Sequence, residues 1–124
     1  TPTPTATPTP TPTGFTLNYS ANFEDTTAST FEIRKNGVLI QSCNTISGAC
    51  SNSFTITSGD TINIQLFAST PPCPIQSSGS IEVLEGVTQI HFESNTDCPS
   101  VFLEHEFITS NSNYTVIALA SDNV

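Results

Sequence analysis

Apolar residues recur at every second position along most of this chain, and nowhere at helical spacing. Period-two alternation sends successive side chains to opposite faces of a pleated strand, which restricts the body to β-structure. Phe15, Leu17, Tyr19 and Ala21 alternate with Thr16, Asn18 and Ser20. In STFEIRKNGVLIQS the pattern is interrupted by Asn36-Gly37, a pair suited to the two positive φ angles of a type I′ turn. A two-residue turn there sets Lys35 against Val38 and Ile33 against Ile40. Phe31, Ile33, Val38 and Ile40 then share one face, and Arg34 and Leu39 take the other. Phe54 and Ile56, then Ile62, Ile64 and Leu66, alternate around a connection at Ser58-Gly59-Asp60. In SIEVLEGVTQIHFES, Ile81, Val83, Ile90 and Phe92 are expected to face inward on two strands that break near Glu85-Gly86. VFLEHEFI and NYTVIALA bring the count to eight or nine strands. The expected body is an all-β antiparallel sandwich whose core holds Phe31, Ile33, Ile40, Phe54, Ile56, Ile62, Ile64 and Leu66. No helix longer than two turns is expected after Gly14, and no internal repeat is evident.

Residues 1–13, TPTPTATPTPTPT, are a separate unit. Proline at alternate positions forbids helix and removes the donors that a central strand needs. An extended, polyproline-like tether remains, spanning roughly 40 Å at about 3.1 Å per residue. Thr1, Thr3, Thr5, Thr7, Thr9, Thr11 and Thr13 fall mostly on one side of it and are the expected O-glycosylation sites. Having almost no apolar surface, an ordered tether costs on the order of 10 kcal/mol that it cannot recover alone. Attached glycans or a neighbouring copy of the protein would offset that cost. The remaining residues, 14–124, form one domain, large enough to bury roughly two thirds of its unfolded surface.

The four cysteines allow three pairings, of which Cys43–Cys50 and Cys73–Cys98 are favoured because the first is local and the second then joins two loops. On a chain-entropy model these bridges contribute roughly 2.5 and 3.5 kcal/mol. A four-cysteine zinc site would want two closely spaced pairs, and the intervals here are too wide. Paired cysteines place the chain in an oxidising, extracellular or cell-surface compartment. It begins with neither Met nor a leader peptide, as a mature or excised product would.

Only Arg34 and Lys35 are basic, against eleven acidic residues, for a formal net charge of −9. Nucleic acid and anionic membrane surfaces are therefore not expected partners, since both need several cations on one face. No apolar run approaches the length that spans a bilayer, so no membrane insertion is expected.

Glu104, His105 and Glu106 are the best candidate for a chemical site, with His91 and Glu93 nearby in another strand. On a strand Glu104 and Glu106 point away from His105, so the triplet alone cannot converge on a metal, although His91 and Glu93 could join one of its faces. Glu24-Asp25 and Asp97 lack the acidic loop spacing of a dedicated calcium site. No nucleophile motif appears, and neither catalysis nor a cofactor is expected. Asn18-Tyr19-Ser20 and Asn113-Tyr114-Thr115 match the N-glycosylation pattern but fall on expected strands.

The stretch SFTITSGDTINIQL, residues 53–66, resembles the strand–turn–strand core of immunoglobulin-like and fibronectin-like modules of bacterial surface proteins. The same style occurs in phage virion proteins, where such modules hang on Thr-Pro linkers. The resemblance implies an immunoglobulin-like architecture, with no functional residue carried over. Three functions are compatible with it. The first is a non-catalytic structural subunit of an extracellular filament or appendage, joined to copies of itself through a glycosylated tether. The second is an adhesin or carbohydrate-binding module on a linker, and the third a phage virion protein. Intact disulfides weigh against the third, because virions mature in a reducing cytosol.

Overall fold

The computed structural model describes residues 3–4, 14–24 and 26–122. Of the tether it describes Thr3 and Pro4 alone, both exposed; the expectations for the rest of residues 1–13 lie outside the described residues. The body is built from nine strands and no helix among the described residues: β1 (Phe15–Glu24), β2 (Thr30–Lys35), β3 (Val38–Asn44), β4 (Cys50–Ile56), β5 (Thr61–Ser69), β6 (Ser77–Glu85), β7 (Thr88–Asp97), β8 (Ser100–Ile108) and β9 (Tyr114–Asp122). They form a five-stranded sheet in the order β4-β1-β9-β6-β7 and a four-stranded sheet in the order β3-β2-β5-β8. One pairing departs from the antiparallel expectation: β1 and β9 run parallel, in register from Leu17 opposite Tyr114 to Glu24 opposite Ser121.

The alternation read from the sequence explains the core. Leu17, Tyr19 and Ala21 of β1 and Tyr114, Val116, Ala118 and Ala120 of β9 are buried, and so are Ile62, Ile64, Leu66 and Ala68 of β5. Phe31 and Ile33 of β2 and Ile81 and Val83 of β6 complete the centre. Six of the eight expected core residues are fully buried; Phe54 is half-buried, packed at the core's margin opposite Leu17, and Ile40 is exposed.

The exposure of Ile40 has a local cause. Asn36 and Gly37 do adopt positive φ, 52° and 81°, and Lys35 lies opposite Val38 and Arg34 opposite Leu39. Between Ile33 and Arg34 the register then shifts, so that Ile33 faces Gln41 and Ile40 is the extra residue of a β-bulge. One inserted residue reverses the alternation beyond it. Val38, next to the turn and beyond the last core pair, is 65% exposed. The β6–β7 hairpin repeats the device. Its register shifts between Val83 and Leu84, so His91 lies opposite Val83, Glu93 opposite Ile81, and Ile90 is left over. Ile90 and Phe92, expected inward, are 43% and 55% exposed.

Strand directions give the domain two poles. β1 starts at the pole where the tether attaches, which also carries the turns at Asn36-Gly37, Thr57–Asp60 and Gly86-Val87 and the loop at 109–113. Side chains knit this proximal pole together. Asn36 Nδ2 donates to Asp60 Oδ1 at 2.9 Å, Thr109 Oγ1 donates to Thr57 O at 2.7 Å, and Thr16 N donates to Asn113 Oδ1 at 2.9 Å. The distal pole carries the loops at 26–29, 45–49, 70–76 and 98–99 and the end of β9.

Candidate functional site

Both cysteine pairs lie toward the distal pole. Cys43, near the end of β3, is bridged to Cys50, the first residue of β4, with sulfurs 2.04 Å apart. Because β3 and β4 are edge strands of different sheets, this bridge ties the two layers along one margin. Cys73 in the β5–β6 loop is bridged to Cys98 in the β7–β8 turn. That bridge joins two loops at the opposite margin, where β7 and β8 are the edge strands.

Between those edge strands sits a group of titratable side chains. The register that exposes Phe92 turns His91 and Glu93 inward on β7, and β8 turns His105 toward them. The imidazoles of His91 and His105 stack with centroids 3.5 Å apart and planes within 5°. Phe107 continues the stack at 5.8 Å from His105, and Tyr114 lies 5.3 Å from Phe107. His91 Nε2 and Glu93 Oε1 are 3.5 Å apart, and neither makes a hydrogen bond. Burial pushes the His105 imidazole below its ordinary pKa, the His91 charge adds to that shift, and Glu93 opposes it.

Glu104 and Glu106 do not join this group. They sit on the outer face of β8, where Gln65 Nε2 donates to Glu104 Oε2 at 2.6 Å and Glu106 lies opposite Asn63. No set of three or more His, Cys, Asp or Glu among the described residues is arranged to hold a metal. Of the other sequence candidates, Glu24 ends β1 at the distal pole, Asp25 lies outside the described residues, and Asp97 Oδ1 accepts from the Cys98 backbone N–H. Asn18 is exposed on β1, in the interior of its sheet, and Asn113 is exposed in the loop before β9. Chemically, the arrangement is two stacked imidazoles beside one carboxylate.

Sequence reasoning missed the outer surface. Among the described residues eleven large hydrophobics are exposed, on both sheet faces and in the turns. Phe67 and Phe102 lie directly opposite each other on the outer face of β5 and β8. Phe92, Glu82 and Ile117 form a row across β7, β6 and β9 on the other sheet. Beside that row is an open depression of about 240 Å³ lined largely by hydroxyl groups, including Ser78, Ser80, Ser94, Thr96 and Ser121, with Leu119 at one wall. Strand alternation alone put Phe67 and Phe102 on the outer faces, and that was the available signal.

No family model matches this chain, and no curated protein matches it. Among solved structures it is similar to a crystal structure of a mutant of the major pilin from Streptococcus pyogenes, with 5% sequence identity and a TM-score of 0.36. The match covers 86% of this chain and 48% of that one, so the chain spans about half the pilin's length.

Proposed function

We propose that this protein is a non-catalytic structural subunit of an extracellular assembly, held by a Thr-Pro tether that carries sugar on its threonines. One observation carries the reading: eleven large hydrophobics are exposed among the described residues of a chain only 10% of whose residues are charged. Contiguous exposed apolar surface marks contact sites on folded proteins. Phe67 and Phe102, directly opposed on one sheet, are such a face, and Phe92 and Ile117, on either side of Glu82, put further apolar surface on the other, so each copy can meet a neighbour on either side. Different faces meeting in a repeated contact generate an open fibre wherever the rotation does not close a ring.

Hydroxyl-radical footprinting tests this on protein recovered from its native surface and on the isolated domain. Phe102 and Phe92 should react freely in the isolated domain and be protected in the native material. Equal reactivity in both would refute the reading. The carbohydrate-binding alternative has one observation in its favour, the hydroxyl-lined depression beside Phe92. Protection of Ser78, Ser94 and Phe92 by added oligosaccharide, with Phe102 unaffected, would select it instead.

A further inference from the structure

The four-stranded sheet is bounded by β3 and β8, each paired with a single neighbouring strand among the described residues. The row of unpaired N–H and C=O groups along such an edge is a template for another strand. β8 keeps an unbroken register of nine residue pairs with β5, from Ile108 opposite Thr61 to Ser100 opposite Ser69, so its free edge is regular over its whole length. β3 runs from the proximal pole to the distal one, and β8 runs back. In a second copy set alongside in the same orientation, β8 therefore lies antiparallel to β3, and the sheet's alternation of strand directions continues. The same placement sets β4 beside β7 of the neighbour, again in opposite directions, so the other layer does not oppose it.

The side chains of the two edges are complementary. Two rows cross the outer face of this sheet, one of Leu39, Arg34, Asn63 and Glu106, the other of Ser42, Glu32, Gln65 and Glu104. At the β3 end, Val38, Leu39 and Ile40 are exposed together. Arg34 and Lys35, the only basic residues of the chain, stand one strand in, opposite Leu39 and Val38. At the β8 end Phe102 and Ile108 are exposed, and Glu104 and Glu106 between them form no ion pair among the described residues. Pairing β8 with a second β8 would bring four carboxylates together, and like charges facing each other across strands are destabilising. Pairing it with β3 turns those carboxylates toward the side that carries the cations and sets Ile108 beside the exposed apolar strip. The bulge holds Ile40 out of the ladder, so Val38 with Leu39 and residues 41–44 on either side of it would make the new pairs.

We propose that β3 of one copy pairs with β8 of the next, joining the four-stranded sheets edge to edge. The proposal rests on the reading of the chain as an assembling subunit and adds an edge contact to its apolar faces. Because the two edges differ, the contact is heterologous and repeats from copy to copy, with every tether attached on the same side. Cross-linking tests it on the full chain with its native modifications, carrying Leu39→Cys together with Glu106→Cys and treated with a short bis-maleimide. Within one copy the two positions are three strand spacings apart, roughly 14 Å, beyond the reach of the reagent. Denaturing electrophoresis should show a covalent ladder for the paired variant and none for either single one. Ser42→Cys with Glu104→Cys, both at exposed positions, reports on the neighbouring row in the same way. Oligomers in solution without a ladder from either pair, or dimers from Glu106→Cys alone, would overturn the edge contact and leave the assembly reading standing. An unsubstituted chain that stays monomeric would remove both. Paired variants that fold but no longer assemble would support the contact, since the apolar faces do not use these four positions.

Discussion

Ile33 and Ile40 look equivalent in the sequence, and the bulge separates them. Ile33 is fully buried opposite Ile64 and Gln41, whereas Ile40 is the unopposed residue of edge strand β3 and 37% exposed. Replacing Ile33 by Ala removes three buried carbons, worth about 2.4 kcal/mol at about 0.8 kcal/mol each. The cavity left between two packed sheets brings the expected loss to about 3–4 kcal/mol. Ile40→Ala removes partly solvated carbons from an edge and should cost less than about 1 kcal/mol. Equilibrium urea unfolding with both disulfides intact measures the difference. With a slope of about 1.5 kcal/mol/M, the midpoint of Ile33→Ala should fall by about 2 M and that of Ile40→Ala by well under 1 M. Equal losses at the two positions would mean that Ile33 and Ile40 pair across the hairpin, and the bulge would be wrong.

His105 should make stability depend on pH. Its folded pKa is depressed below the ordinary 6.5 by burial and by His91. The unfolded chain therefore binds the proton first as pH falls through that value, and stability is lost from there down to the folded pKa. His105→Gln should flatten this acid-side decline in thermal midpoint; an unchanged slope would show that the stacked pair contributes nothing. Peptide mapping without reduction should recover Cys43 joined to Cys50 and Cys73 joined to Cys98, and any other pairing would contradict the layout of the distal pole.

Much of the fold was legible because alternation is a local property. Phe31, Ile33, Ile62, Ile64 and Leu66 are buried where period two put them. The turn at Asn36-Gly37 was legible because few residues accept positive φ at two successive positions. What failed was phase. A β-bulge adds one residue without a strong sequence signal, and each of the two bulges reversed the facing of the strand that follows, exposing Ile40 in one hairpin and Ile90 and Phe92 in the other. The second reversal also created the stacked histidines, because the shift that turned Phe92 outward turned His91 inward toward His105. The parallel β1–β9 pairing was beyond reach for a different reason. It depends on how strands far apart in sequence come together, and neither strand's own residues encode the direction of its neighbour.

Sedimentation velocity, run on the full chain recovered with its native modifications and on residues 14–124 alone, tests the central claim most directly. A subunit whose faces meet and whose tether holds them together predicts an open series of oligomers for the full chain and, because the faces alone associate too weakly, a folded monomer for the truncated one at the same concentration. If both sediment as the same species, and mass spectrometry finds Thr1 through Thr13 bare, the tether neither carries sugar nor joins subunits, and the proposed function is wrong.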